Sequence, residues 1–99
     1  MKGMLEFSWD WQKDEVNQEK HGVSFREAKT VFWDPDALLL DDPEHSFDEE
    51  RFIIMGLSEQ FNLLVVCHCY RENETSIRII SARRANKREA KYWQGEKNA

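Results

Sequence analysis

The chain has 99 residues, 40% of them hydrophobic and 33% charged, with a formal net charge of -5. That length holds one small domain spanning residues 1–99, with apolar content for a single core. No apolar run approaches the roughly 18–20 residues that span a bilayer, and the first residues lack the apolar core and cleavage site of a secretory signal. A cytoplasmic protein is the expectation.

Met4 to Ser8 reads as a short first strand. Asp10 can cap a helix from Trp11 to Lys20, stopped by Gly22. That helix is polar and leaves little but Trp11 and Val16 to bury. Ser24 and Glu27 have capping-box spacing, with Val23 and Ala28 set as a hydrophobic staple. Phe25, Ala28, Val31 and Phe32 would line one face of a second helix ended by Asp34-Pro35. Ala37 to Leu40 is a short apolar run, and Asp41 to Glu50 an acidic loop containing His45. Arg51 to Leu57, Leu63 to Tyr70 and Thr75 to Ser81 are three further strands. Their connections are short enough for antiparallel neighbours. Asn86 and Glu89 repeat the cap pairing and open a last helix through Trp93. The order predicts an α+β domain, with helices on one face of a mainly antiparallel sheet.

Cys67 and Cys69 would share one strand face, too close for a disulfide, with His68 pointing oppositely. Their side chains do not converge, so reduced, buried thiols are expected rather than a metal site. His45 and His68 carry no catalytic expectation. The acidic loop offers no rigid cage for magnesium. The expectation is no metal and no cofactor.

Positive charge is gathered near the end of an acidic chain. Arg78, Arg83, Arg84, Lys87, Arg88 and Lys91 face the single acid Glu89 between Thr75 and Trp93. Arginine forks suit phosphate, and the free amides at the start of the last helix add positive potential. Pairing with the acidic loop is the bland alternative. Lys20 and His21 end the first helix, where they could exchange a proton and neutralise an anion, or simply cap the helix. Arg51 begins a strand as an edge gatekeeper or a phosphate clamp. Arg78 should face away from Ile77 and Ile79, on the side of Ile80. Tyr92, amid the basic helix, is the best candidate to stack on a base.

Several of these residues fall into an ordered pattern: Trp9-Asp10 with Lys13 and Asn17; Lys20-His21-Gly22-Val23-Ser24-Phe25; Glu50-Arg51-Phe52; and Ile79-Ile80-Ser81-Ala82-Arg83-Arg84-Ala85 with Glu89 and Tyr92. From about Leu5 to Trp93 the chain resembles the BrnT toxins of prokaryotic type II toxin–antitoxin systems. The resemblance implies a RelE-like fold and a ribonuclease that arrests translation by cutting RNA such as ribosome-associated mRNA. It implies a BrnA-type antitoxin that neutralises the toxin in a toxin–antitoxin heterotetramer and carries operator-DNA binding, so that the pair represses its own operon. For metal-independent cleavage, Lys20, His21, Arg51, Arg78 and Arg83 are the expected catalytic group. Arg84, Lys87 and Tyr92 are the expected substrate contacts, with Arg71 a reserve clamp. The alternative is a catalytically inactive relative that binds an antitoxin and co-regulates transcription; a general nucleic-acid-binding domain is a third.

Overall fold

The computed structural model describes residues 4–41 and 50–99; most of the acidic loop, with His45, lies outside the described residues. The elements are β1 (Glu6–Ser8), α1 (Trp11–His21), α2 (Phe25–Ala28) running into a 3-10 helix (Lys29–Trp33), β2 (Leu38–Asp41), β3 (Phe52–Leu57), β4 (Leu63–Tyr70), β5 (Ser76–Arg84) and α3 (Lys87–Lys97).

The local signals act as their chemistry dictates. The Asp10 carboxylate accepts from the amides of Gln12 (2.8 Å) and Lys13 (3.4 Å), opening α1. Gly22 closes it at φ 70°, a left-handed conformation that costs glycine nothing. Ser24 Oγ accepts from the Glu27 amide at 3.0 Å. Glu27 does not complete the box, because its carboxylate accepts from Ser58 Oγ and Asn62 Nδ2 instead, each at 2.7 Å. The Thr30 hydroxyl donates to the Glu27 carbonyl at 2.7 Å where the helix tightens to 3-10 geometry. At α3 both halves of the Asn86–Glu89 capping box form.

One five-stranded sheet has the order β1-β5-β4-β3-β2. The three long strands are antiparallel neighbours as expected, whereas β1 pairs parallel with β5. Cys67 stands opposite Ser81 and His68 opposite Ile79, so Ile80 is an extra residue, a β-bulge. β1 reaches only as far as Arg78. Farther along β5 a side chain takes the place of a strand. The Asn17 amide donates to the Ala82 carbonyl (2.8 Å) and accepts from the Ala82 N–H (3.1 Å), while also donating to Val23 O (2.8 Å). α1 is therefore anchored by a buried polar residue. Trp11 and Val16, expected to be its buried positions, are 64% and 59% exposed.

The two sheet faces are both covered, but unequally. Val23, Phe25, Ala28 and Val31 pack on Ile54, Leu64, Val66, Ile79 and Ala82 to form the main core. Met55, Val65 and Trp93 make a second core with Leu38, Ile53, Leu57 and Leu63 on the other side. The expectation that all helices share one face is corrected here: α3 packs opposite α2. The reason lies in β3 and β4, which carry apolar side chains at successive positions and so need cover on both sides. Trp93 fixes α3 there and donates its Nε1–H to the Asp36 carbonyl at 3.1 Å. On the first face Gly56 admits the close approach of the segment before β2; a Cβ there would lie 2.8 Å from both Ala37 Cβ and Asp34 Oδ2.

Candidate active site

Cross-strand partners share a sheet face. Arg78, Ser81 and Arg83 stand opposite Cys69, Cys67 and Val65, alternate residues of β4, so all three project from the α3 side. The bulge makes this possible. Without it Arg78 would share its side with Ile80, as alternation alone predicts, and would oppose Arg83. Arg51 lies just ahead of β3, outside the strand, and is half-buried. Two of the expected arginines, Arg78 and Arg83, thus come to one face of the sheet. The cysteines on this face are not joined in a disulfide, Cys69 buried and Cys67 partly so.

Arg83 is held firmly. Its Nη1 and Nη2 donate to Glu89 Oε1 and Oε2, each at 2.8 Å, and Nη1 also donates to the Arg84 carbonyl at 3.2 Å. Glu89 Oε1 accepts the Asn86 N–H at 2.9 Å as well. The hydrogen bonds from Arg83 hold the Glu89 carboxyl below the usual carboxylate range, and Glu89 in turn raises Arg83. Sequence reasoning saw Glu89 only as a helix cap; its pairing with Arg83 depends on the chain turning between β5 and α3.

Arg84 goes the other way. It stands opposite Leu64 on the α2 side, and its Nη1 donates to Asn62 Oδ1 at 2.7 Å. Asn62 is itself bonded to Glu27, so Arg84 ends a chain of polar contacts on the face away from Arg83. Lys87 is exposed in the first turn of α3. Arg88 and Tyr92, one turn apart, border a groove of about 310 Å³. Its floor is Ile53, Met55 and Val65, and Arg83 and Glu89 stand on its rim. Arg71 follows β4 at the far end of the sheet, six residues and roughly 20 Å from Val65 opposite Arg83.

Lys20 and His21 line a second hollow of about 410 Å³ with Lys13, Asn17, Ile80 and Ser81. Ser81 belongs both to this hollow and to the arginine face, and so joins the two. His68 takes no part. It is fully buried on the α2 side, with ring contacts to Phe32 (4.8 Å) and Tyr70 (5.5 Å). Its Nδ1 is 3.4 Å from Val66 O, and among the described residues its Nε2 has no hydrogen-bond partner. Burial lowers its pKa to about 4, so the core holds a neutral ring. Among the described residues no three His, Cys, Asp or Glu side chains gather as a metal site would require. Beside its guanidinium groups the arginine face carries the Glu89 carboxylate, paired to Arg83.

The family model of the ribonuclease toxin BrnT, of type II toxin–antitoxin systems, matches residues 9–89. The chain belongs to this family. The matched span runs from Trp9 to Glu89 and takes in the Lys20–His21 hollow, the Arg83–Glu89 pair and the lining of the groove except Tyr92. The crystal structure of the Brucella abortus ribonuclease toxin BrnT superposes with a TM-score of 0.64. It covers 85% of this chain and 100% of that one, at 19% identity. That likeness is one of fold: the BrnT domain here is RelE-like, a sheet with N-terminal helices and a C-terminal helix packed on it. No curated protein matches the chain. No helix among the described residues is long and apolar enough to cross a membrane.

Proposed function

We propose that this BrnT-family chain is an endoribonuclease that cuts RNA without a metal ion, inhibits translation and is neutralised by a cognate antitoxin. The observation that carries the reading is the shared face of Arg78, Ser81 and Arg83, with Arg83 clamped by Glu89 beside an apolar groove.

In the chemistry, the ribose 2′-oxygen bonds to the adjacent phosphorus and loses its proton. The bond to the 5′-oxygen breaks, and that oxygen takes up a proton; a 2′,3′-cyclic phosphate and a 5′-hydroxyl are the products. Charge builds on the non-bridging oxygens as the phosphorane forms, and fixed guanidinium donors stabilise it without reorganising. Arg83 is the central clamp; Arg78, opposite Cys69 and about 13 Å along the sheet from Val65, joins Arg51 in meeting the neighbouring phosphate. Arg88 and Tyr92 border space for a base, and Lys87 meets a flanking phosphate. Lys20 and His21 approach across Ser81, His21 as the proton carrier and Lys20 as its cationic neighbour. Arg84 is bonded to Asn62 on the other face and has no part in this arrangement.

The antitoxin is of the BrnA type, and the toxin–antitoxin assembly is a heterotetramer that reaches operator DNA through the antitoxin. The test is cleavage of single-stranded RNA by the purified chain in excess chelator. Cleavage that persists there and is lost in Arg83→Ala supports the reading. Cleavage that strictly requires a divalent ion overturns it. Unimpaired growth of a bacterial host at high soluble expression, with no cleavage in vitro, favours a toxin relative that only binds its antitoxin.

A further inference from the structure

We infer that Glu89 is a positioning residue for Arg83, which it holds by one edge so that the other is presented to an RNA phosphate; the inference rests on the proposed role of Arg83. Guanidinium carries five N–H donors in a fixed plane. Nη1 uses both of its hydrogens, on Glu89 and on the Arg84 carbonyl. Nη2 uses one on Glu89. What remains is Nε–H and the second Nη2–H, which point the same way and form the side-on fork that matches two phosphate oxygens. Among the described residues nothing else is bonded to them. The side chain is 42% exposed, so that fork is within reach of a ligand.

Glu89 can do this because it is itself fixed. It is the third residue of α3, its amide donates to Asn86 Oδ1 at 2.8 Å, and its Oε1 accepts from the Asn86 N–H. The capping box thus ties the carboxylate to the backbone at the start of α3, and the carboxylate ties Arg83 to the same place. A free arginine would lose its rotamer freedom on meeting a phosphate; here that loss has already been taken in folding. The pair is close to neutral, so Arg83 contributes direction, while Arg78, Lys87 and Arg88 contribute the net attraction.

Glu89→Gln is the informative change, because glutamine still serves in a capping box but cannot form the charged two-point contact. Cleavage in chelator should fall roughly 10- to 100-fold in kcat, with KM changed far less. The double variant Arg83→Ala/Glu89→Gln should be no slower than Arg83→Ala alone. Asn86→Ala removes the side-chain cap but keeps the Asn86 N–H that Glu89 Oε1 accepts, so it should lower Tm and reduce kcat less than Glu89→Gln does. The Arg83 Nε–H resonance gives a readout free of catalysis: on adding a fully 2′-O-methylated single-stranded RNA it should shift in the parent and not in Glu89→Gln. A Glu89→Gln protein as active as the parent, or faster, overturns the inference, as does additive loss in the double variant or an Nε–H shift equal in both proteins. If Arg83→Ala itself cleaves normally, the proposed role of Arg83 falls and this inference with it.

Discussion

Arg83 and Arg84 are consecutive residues on one strand, and they belong to two differently built regions. The α2 side is closed: aromatic and aliphatic side chains fill it, and its polar groups are tied to one another, as in the contacts joining Ser58, Glu27, Asn62 and Arg84. The α3 side is closed only where Trp93 sits, and beyond it guanidinium groups stand over a groove. The difference shows that the charge of a residue does not decide its use. A terminal amide from Asn62 occupies one arginine; a capped carboxylate orients the other. The contrast can be tested by substitutions that should alter stability on one side and cleavage on the other.

The largest effect is expected from Arg83→Ala against Arg84→Ala. The first should reduce cleavage by about 10²–10³-fold, the order seen on removing one donor to a developing anion, with Tm little changed. The second should lower Tm and leave cleavage within about threefold, the neutral-to-small effect expected away from the reacting groups. If both abolish cleavage equally, the two-sided picture is wrong.

Gly56→Ala comes next. The new methyl would meet Ala37 and Asp34 on the closed side, at a cost of about 3 kcal/mol, the upper end for overpacking. Urea unfolding measures it, and cleavage per folded molecule should be retained. Asn17→Ala should cost about 2 kcal/mol by orphaning the buried Ala82 and Val23 backbone groups. A loss indistinguishable from zero would mean that water replaces the amide.

The last effect concerns His68 and is read through pH. Folding lowers its pKa from 6.5 to about 4, so the folded state prefers the neutral ring. Its contribution to stability is complete above pH 6.5 and is lost as pH falls toward 4, with a slope of at most about 1.4 kcal/mol per pH unit. Glu89 adds a separate loss beginning near its ordinary value of 4.5 and continuing below it, because its folded pKa is depressed. Unfolding at pH 7, 5.5, 4.5 and 3.5 should resolve the two windows, and His68→Phe should flatten the upper one alone.

What could be read from the sequence was local. Asp10, Gly22, Ser24 and the Asn86–Glu89 box mark helix ends through contacts a few residues apart. The long strands showed in apolar runs bounded by short turns. What could not be read depended on distant residues. Glu27 has capping-box spacing, yet Ser58 and Asn62 draw its carboxylate away. Strict alternation put Arg78 with Ile80, and a single bulged residue moved it to the side of Arg83. The apolar residues of α1 suggested a buried stripe, but its anchor is Asn17, whose partner is the backbone of a strand far along the chain. Of the candidate site, the basic segments were visible; their division between two faces and the grip of Glu89 on Arg83 were not.

The parallel pairing of β1 with β5 has a bearing on synthesis. Glu6 pairs with Ser76, so β1 must wait for β5, some seventy residues on, before it has a neighbour. β5, which bears Arg78 and Arg83, is also the strand that joins β1 to the rest of the sheet. A nascent chain can form its helices and its central hairpin early, but contacts of such long sequence separation come late. The arginine face is therefore assembled only after β5 has been made.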